Sequence, residues 1–406
     1  MIESEFVFCV CQPGAELALK SEVAARVPNW KFAYSRPGFV TFKLDKPANL
    51  DRFQAPHLVF ARTIGLSLGS VTGESNEELA AAVWEEPAVA AYVEACPKLG
   101  LHVWRRDTAL PGQQGVEPGP TDESRAAEAA LRSSAPQASA GDRELLASRE
   151  TGNGARVLDV ALVEPDRWWI GAHRVANRSD RFAGGVMPLA LPGHAVSRAY
   201  LKMQESLRWA GLPTMAGEVW IELGCAPGGA SQALLEEGMQ VLGVDPAKVD
   251  PVVEAEENFH QLQMRVQDAR RVEFSTAQWL AADLNVDPET LLSAVESIVS
   301  HPEVSIRGLV LTIKLLEKSM GSPEAIVAYL ERVRKWGYQD VRVRQLAFNR
   351  HEICLVALRS RRQRRIARRG RIAKPKKSAP VKKRFRVDPP HAGPSSGHIH
   401  DAGPHV

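Results

Sequence analysis

One short segment of this 406-residue chain constrains its fold more than any other: the glycine-rich turn at residues 224–229. An apolar run, residues 219–223, precedes the turn, and the helix-forming residues 233–235 follow it. Glycines let backbone amides approach a ligand closely, and the first turn of a helix offers unpaired N–H groups. About 20 residues after the turn, a second apolar run ends at Asp245, whose carboxylate suits a ribose hydroxyl. The pattern predicts a nucleoside-binding strand–turn–helix–strand unit.

The spacing of the glycines narrows the choice of nucleoside. Turns that bind dinucleotides read G-x-G-x-x-G, and turns that bind triphosphates read G-x-x-x-x-G-K-[ST]. This turn reads Gly-Cys-Ala-Pro-Gly-Gly and fits neither pattern, because it also lacks the lysine and hydroxyl that hold a magnesium-bound phosphate. An ordinary glycine-rich turn between a strand and a helix is the alternative interpretation.

Strand-like and helix-like segments alternate over residues 186–360. Such alternation is typical of a doubly wound parallel sheet, so we expect an α/β fold with a Rossmann-like domain. Ser197 is expected to cap the helix that precedes the first strand. The strands of this domain are expected at residues 219–223, 241–244, 263–266, 279–282, 308–313, 340–346 and 352–358.

The N-terminal half has a different organisation. Residues 1–71 follow the order of a ferredoxin-like βαββαβ unit, in which residues 50–58 form the second helix. Residues 72–185 are less regular, with helical patterns at 76–95 and a long stretch rich in Pro, Gly, Ser and Ala at 108–153. We therefore expect two α+β units before the Rossmann-like domain.

The cysteines and the apolar runs limit the kind of protein. The five cysteines form no C-x-x-C pair, so the sequence predicts core thiols and neither a zinc site nor a disulfide framework. The start of the chain carries Glu3 and Glu5 and no basic segment, so no signal peptide is predicted. The longest apolar run, at 308–316, is too short for a membrane and is interrupted by Lys314. We expect a cytoplasmic protein with no membrane partner.

The glycine-rich turn resembles the S-adenosylmethionine loop of the FtsJ-like ribose 2′-O-methyltransferases, which commonly reads D-L-G-x-x-P-G-G-[FWA]-[ST]-Q. This chain reads E-L-G-C-A-P-G-G-A-S-Q, so Glu222 stands where that family usually has aspartate. By this resemblance Ser197 would touch the cofactor, Asp245 would bind its ribose hydroxyls and Asp268 its adenine amino group. An exposed loop acid is the alternative for Asp268. The other residues expected to line S-adenosylmethionine are Gly224, Ala226, Pro227, Gly228, Gly229 and Asp283.

Methyl transfer to a hydroxyl requires aligned reactants and a group that removes the hydroxyl proton. A lysine whose pKa is lowered can remove that proton, and carboxylates can orient the lysine. The FtsJ-like family uses a Lys-Asp-Lys-Glu tetrad, and by resemblance its members here are Lys202, Asp283, Lys314 and Glu352. Lys314, which ends an otherwise apolar run, would be the general base. Lys202 and Asp283 would tune and align it, and Glu352 would orient it. Taken singly, Lys202, Asp283 and Glu352 can also be explained as ordinary surface or strand-end residues.

Segments of the N-terminal half resemble one bacterial branch of that family, the large-subunit ribosomal RNA 2′-O-methyltransferases of type M. The resemblance rests on E-P-D-R-W-W-I-G at residues 164–171 and N-R-S-D at 177–180, and it covers about residues 4–360. In that branch a ferredoxin-like domain and an RNA-binding THUMP domain precede the methyltransferase domain. The implied domains are a ferredoxin-like domain at residues 1–71, a THUMP-like RNA-binding domain at 72–185 and the methyltransferase domain at 186–360. The implied acceptor is a cytidine ribose of 23S ribosomal RNA.

The net charge of +3 hides an uneven distribution of charge. Residues 361–386 hold 14 Lys or Arg and no acidic residue, whereas residues 1–360 hold 37 basic and 46 acidic residues. Such a basic block is usually disordered and binds polyanions. We expect a disordered tail, 361–406, whose basic part, 361–386, contacts RNA phosphates. A tail with no role in the reaction is the alternative.

Two other functions are compatible with these patterns. One is methylation of a different acceptor, such as a tRNA ribose or an RNA base, although Lys314 favours a hydroxyl acceptor. The other is a non-catalytic RNA-binding or ribosome-assembly protein with the same fold, although all four residues of the tetrad are present. The sequence leaves the oligomeric state open.

Overall fold

The computed structural model describes residues 3–96, 98–136, 144–147 and 150–360. The basic tail lies outside the described residues, and so does part of the stretch 108–153. Among the described residues the strands form two sheets, one in each half of the chain.

The N-terminal sheet has eight strands in the order β2-β3-β1-β4-β8-β7-β5-β6. The pair β4–β8 is antiparallel and joins strands of the first 71 residues to strands of the following segment, so both expected units share one sheet. Its elements are β1 (Glu3–Val10), α1 (Glu16–Arg26), β2 (Trp30–Arg36), β3 (Phe39–Asn49), β4 (Thr63–Thr72), α2 (Asn76–Glu85), α3 (Pro87–Glu94), β5 (Lys98–Arg105), α4 (Asp122–Ser133), β6 (Glu144–Leu146), β7 (Arg156–Glu164) and β8 (Arg167–Arg174).

The helix expected at residues 50–58 is absent, and that prediction was wrong. Side chains take up the backbone N–H groups of this segment at both ends. Asn49 Oδ1 accepts from the Asp51 N–H at 3.0 Å, and the Glu22 carboxylate accepts from the Val59 N–H at 2.8 Å. Such local side-chain bonds compete with helical hydrogen bonds, so residues 50–52 form a turn and residues 53–58 form no regular structure.

The C-terminal sheet has seven strands in the order β11-β10-β9-β12-β13-β15-β14. The strands from β11 to β13 are parallel, and β15 is antiparallel to both of its neighbours. The α/β prediction is confirmed. The elements are α5 (Ala199–Ala210), β9 (Val219–Leu223), α6 (Gly229–Glu236), β10 (Gln240–Val244), α7 (Pro251–Glu254), β11 (Phe259–Leu262), β12 (Trp279–Ala282), α8 (Pro288–Val299), β13 (Gly308–Lys314), α9 (Pro323–Lys335), β14 (Asp340–Arg344) and β15 (Glu352–Leu358).

Two strand predictions in this domain need correction. The strand expected at 263–266 lies four residues earlier, because buried Phe259 takes the register position opposite Val241 of the neighbouring strand. The strand expected at 340–346 ends at Arg344. The next residue, Gln345, donates its backbone N–H to Val59 of the N-terminal half instead of continuing the strand.

The last residue of β14 and the segment 345–351, which links β14 to β15, contact the N-terminal half of the chain. Gln345 N donates to the Val59 carbonyl at 2.8 Å, and the Arg344 guanidinium donates to the Ala61 carbonyl at 2.8 Å. The N-terminal half is therefore hydrogen-bonded to the loop that leads into β15.

All five cysteines are buried free thiols, as the sequence predicts. Among the described residues, no helix is both long enough and apolar enough to cross a membrane.

Candidate active site

Four charged residues from different elements meet at one edge of the C-terminal sheet. Asp283 follows β12 and Lys314 ends β13, so both lie at the carboxyl edge of the parallel strands. Glu352 begins the antiparallel strand β15 directly opposite Lys314 in the register. Lys202 reaches the same edge from α5. Ligands of open α/β sheets bind at this edge.

The four side chains form a closed ring of alternating charge. Lys202 Nζ lies 2.5 Å from Asp283 Oδ2 and 3.1 Å from Glu352 Oε1. Lys314 Nζ lies 2.9 Å from Asp283 Oδ1 and 3.9 Å from Glu352 Oε2. The structure thus brings together all four residues that the sequence predicts as a tetrad.

The ring holds Lys202 and Asp283 in their charged forms. Burial acts to lower the pKa of Lys202, but the charges of Asp283 and Glu352 outweigh burial and raise that pKa above its ordinary value. Burial acts to raise the pKa of Asp283, but the two lysines outweigh it and lower that pKa. Lys202 is therefore a permanent cation at neutral pH.

The two lysines differ in how tightly they are held. Lys202 has a close contact with each carboxylate, whereas Lys314 has one close contact and one at 3.9 Å. A lysine nitrogen can engage three hydrogen-bond partners. Lys314 therefore retains the capacity to contact a further group, such as an acceptor hydroxyl.

The glycine-rich turn packs directly against this ring. Gly224 has φ +80°, and a Cβ placed on it would lie 2.8 Å from the carbonyl oxygen of Asp283. A Cβ on Gly229 would lie 2.3 Å from Ser197 Oγ. Only glycine fits at these two positions. The turn continues through a cis Ala226–Pro227 bond to Gly228, which precedes the first residue of α6.

Further groups around the turn fit a nucleoside cofactor. Asp245 follows β10, and its Oδ2 accepts from the Ala226 N–H at 3.2 Å, so its carboxylate lies beside the turn. The prediction that Ser197 caps α5 was wrong, because the N-cap residue is Arg198 and no side chain caps this helix. Ser197 Oγ is instead buried without a hydrogen-bond partner, which leaves a polar atom for a ligand. Asp268 lies on an exposed turn after β11, and its contact with an adenine stays a prediction.

Comparison with known proteins is consistent with this geometry. Residues 195–311 match the sequence profile of the FtsJ-like methyltransferase family. These residues form an FtsJ-like methyltransferase domain. The matched segment contains the glycine-rich turn, Lys202 and Asp283, whereas Lys314 and Glu352 lie beyond its end.

Curated relatives extend over more of the chain than the domain match. The chain is 25% identical over 256 residues to the ribosomal RNA large subunit methyltransferase M of Haemophilus influenzae strain PittEE, a match that covers 59% of this chain and 67% of the relative. It is 26% identical over 266 residues to the protein of the same name from Marinobacter nauticus. This match covers 60% of this chain and 69% of the relative.

Solved structures also match part of the chain. A fibrillarin/Nop5p complex matches with 15% identity and a TM-score of 0.30, over 36% of this chain and 75% of that one. The magnesium protoporphyrin IX methyltransferase of Synechocystis PCC 6803 with bound SAM matches with 16% identity and a TM-score of 0.31. This match covers 40% of this chain and 80% of that one.

Two residues with notable environments in or beside the methyltransferase domain were not among the predicted site residues. Glu222, the residue before Leu223 and the turn, is buried, and the Ser231 hydroxyl donates to its Oε2 at 2.5 Å. Burial raises the pKa of Glu222 to about 8. Gln345 is buried at the junction with the N-terminal half. Its position between strands carries no motif, so no pattern in the sequence identifies it.

Proposed function

We propose that this protein transfers a methyl group from S-adenosylmethionine to the 2′-hydroxyl of a ribose in RNA. The observation that carries the proposal is the ring of Lys202, Asp283, Lys314 and Glu352 beside a glycine-rich turn. The FtsJ-like domain and the relatives named as ribosomal RNA methyltransferases support it.

The residues around the turn are those that would hold the cofactor. Ser197, Asp245 and the backbone of 224–229 offer polar groups of the kind that bind the methionine and ribose parts. S-adenosylmethionine supplies an already activated methyl group on its sulfonium, so the protein needs to align the acceptor oxygen and remove its proton.

Lys314 is the general base in this proposal. Its Nζ accepts the proton of the acceptor hydroxyl, since it is less completely held than Lys202 Nζ. Lys202 stays cationic and balances part of the negative charge of Asp283 and Glu352 while Lys314 acts on the acceptor. Glu352 then orients Lys314 from the opposite strand.

The relatives' names make large-subunit ribosomal RNA the first RNA to test. A cytidine of 23S ribosomal RNA is the proposed acceptor, and a THUMP-like role in RNA binding is proposed for residues 72–185. The basic tail at 361–386 would contribute phosphate contacts.

The proposal is tested by mapping ribose methylation in unmodified 23S transcript by mass spectrometry after incubation with S-adenosylmethionine. Native protein and Lys314→Ala are compared with Lys335→Ala, which removes an exposed lysine in the last turn of α9. We expect one 2′-O-methylated nucleotide with native protein and Lys335→Ala, and none with Lys314→Ala.

The other outcomes identify the alternatives. Full activity of Lys314→Ala, or a methyl group on a base, would contradict the proposal. Methylation of tRNA instead of 23S RNA would keep the chemistry and change the substrate. Failure of the native protein to bind S-adenosylmethionine would favour the non-catalytic RNA-binding protein.

A further inference from the structure

A cavity of about 580 Å³ lies beside the tetrad, at the junction of the two halves of the chain. Leu315 and Leu316, which directly follow Lys314, form part of one wall, and His351, which directly precedes Glu352, lines it as well. The Leu315 N–H donates to the His351 carbonyl at 2.7 Å, so these two segments are held together next to the ring. A molecule in this cavity would lie close to the proposed general base.

The opposite wall comes from the N-terminal half. Leu17 of α1 and Phe60 line the cavity there. Leu17 and Leu316 are 58% and 60% exposed, although large apolar side chains are usually buried. Ligand pockets of this size are typically lined by apolar side chains with a few polar groups, and a nucleobase is a flat molecule of suitable dimensions. The N-terminal half thus helps to build a site next to the methyltransferase ring.

The charged residues that line the cavity are mostly basic. Lys318, Arg350 and His351 contribute to it, and Glu317 is the one acidic residue among its lining residues. Basic side chains at the rim suit the phosphates on either side of a bound nucleotide, because phosphate contacts position a nucleic acid without reading its sequence. The combination of apolar walls and basic groups therefore matches a nucleotide within an RNA strand.

One buried polar atom in the lining has no hydrogen-bond partner. Gln345 is only 3% exposed, and its Nε2 donates to the Arg350 carbonyl at 2.9 Å, which fixes the orientation of the side-chain amide. Its Oε1 is then left without a donor. Buried polar atoms are nearly always paired in folded proteins, so an unpaired acceptor on a side chain that helps to line a cavity points to a donor on a ligand.

We propose that this cavity receives the base of the acceptor nucleotide, and that Gln345 Oε1 accepts a hydrogen bond from an exocyclic amino group of that base. The inference rests on the proposed function, since the ribose of the same nucleotide must reach Lys314. It assigns the N-terminal half a direct part in positioning the acceptor. It also restricts the acceptor to bases that carry an amino group, cytosine, adenine or guanine.

The first experiment fills the cavity. Leu17→Trp places a large ring in the cavity from an exposed position, and Met215→Trp makes the same change at a site that is 63% exposed and outside the cavity. We expect Leu17→Trp to lower kcat/KM for RNA by about tenfold or more, with the Kd of S-adenosylmethionine unchanged. Met215→Trp should match the native protein.

The second experiment tests the amide oxygen. The acceptor nucleotide mapped in 23S RNA is replaced by an analogue whose base lacks the amino group, such as pyrimidin-2-one for cytosine. We expect the native protein to methylate the analogue about tenfold less efficiently. Gln345→Met, which keeps the length of the side chain but removes the acceptor oxygen, should methylate the two RNAs with equal efficiency.

The outcomes separate this inference from the function it rests on. Native activity of Leu17→Trp, an unchanged preference in Gln345→Met, or a uridine acceptor would overturn the inference and leave the proposed function intact. A native protein that methylates no RNA would contradict both the inference about the cavity and the proposed function. If Gln345→Met fails to fold, as judged by circular dichroism, Leu17→Trp still decides the matter, because its position is exposed.

Discussion

The buried carboxyl of Glu222 gives the methyltransferase domain a stability that falls as pH rises. Burial raises its pKa from the ordinary 4.5 to about 8, and the nearby Asp283 and Asp245 charges act in the same direction, against the hydrogen bond from Ser231. Between these two pH values the folded state binds a proton that the unfolded state has released. Stability therefore decreases as pH rises from 4.5 to 8.

The size of the effect follows from the shift. At 1.36 kcal/mol for each pH unit, the raised pKa of Glu222 lowers the free energy of unfolding, relative to its value at low pH, by roughly 2 kcal/mol at pH 6 and roughly 4 kcal/mol at pH 8. Glu222→Gln keeps the shape and a hydrogen bond with Ser231 but cannot ionise. We expect the loss of stability between pH 6 and pH 8 to be about 2 kcal/mol smaller in Glu222→Gln than in the native protein.

The assay is chemical denaturation at the two pH values, followed by tryptophan fluorescence, to which the buried and stacked Trp220 and Trp279 of the C-terminal sheet contribute. Other titrating groups, such as Glu205 with a pKa raised by burial to about 7, contribute equally to both proteins and cancel. Glu257→Gln, at an exposed position, controls for the loss of a carboxylate. Equal pH dependence in the native protein and Glu222→Gln would refute the reasoning.

Three further predictions concern the cofactor, the ring and the tail. Gly229→Ala should weaken binding of S-adenosylmethionine about tenfold or more in calorimetry, because its Cβ would collide with Ser197 Oγ, whereas Gly193→Ala, whose Cβ meets no atom within 4 Å, should not. Lys202→Met should lower kcat about a hundredfold, with little change in the KM for RNA, because Lys314 would then be the one lysine of the ring beside two carboxylates, which oppose the loss of its proton; a change in KM alone would contradict this. Removal of residues 361–406 should weaken RNA binding and reduce its dependence on salt in filter-binding assays, and an unchanged salt dependence would assign the tail no phosphate contacts.

The sequence predicts those parts of the fold in which local pattern and burial agree. The apolar run before the turn forms β9, and Lys314 ends the buried strand β13. Both were predictable because a short apolar run bounded by glycine or by a charged residue is typical of a buried strand in an α/β domain. The four residues of the ring were expected from a resemblance of motifs. The parallel register of β12 and β13 and the antiparallel register of β13 and β15 then explain why residues far apart in sequence meet at one edge.

The parts that could not be predicted depend on contacts between distant segments. Residues 50–58 have a helical pattern, but the Glu22 side chain binds their C-terminal boundary. The strand β14 stops where Gln345 bonds to Val59 of the other half. The cavity beside Lys314 exists only because these two halves pack together, and no single segment of sequence carries a pattern for it.

The central claim is that the methyl group goes to a ribose oxygen, and alkaline hydrolysis tests it most directly. A 2′-O-methyl group blocks the hydroxyl that attacks the neighbouring phosphate, so RNA labelled from radioactive S-adenosylmethionine would release its label in an alkali-stable dinucleotide. We predict that native protein gives the label in dinucleotides and that Lys314→Ala gives none. Label in mononucleotides would place the methyl group on a base and contradict the account.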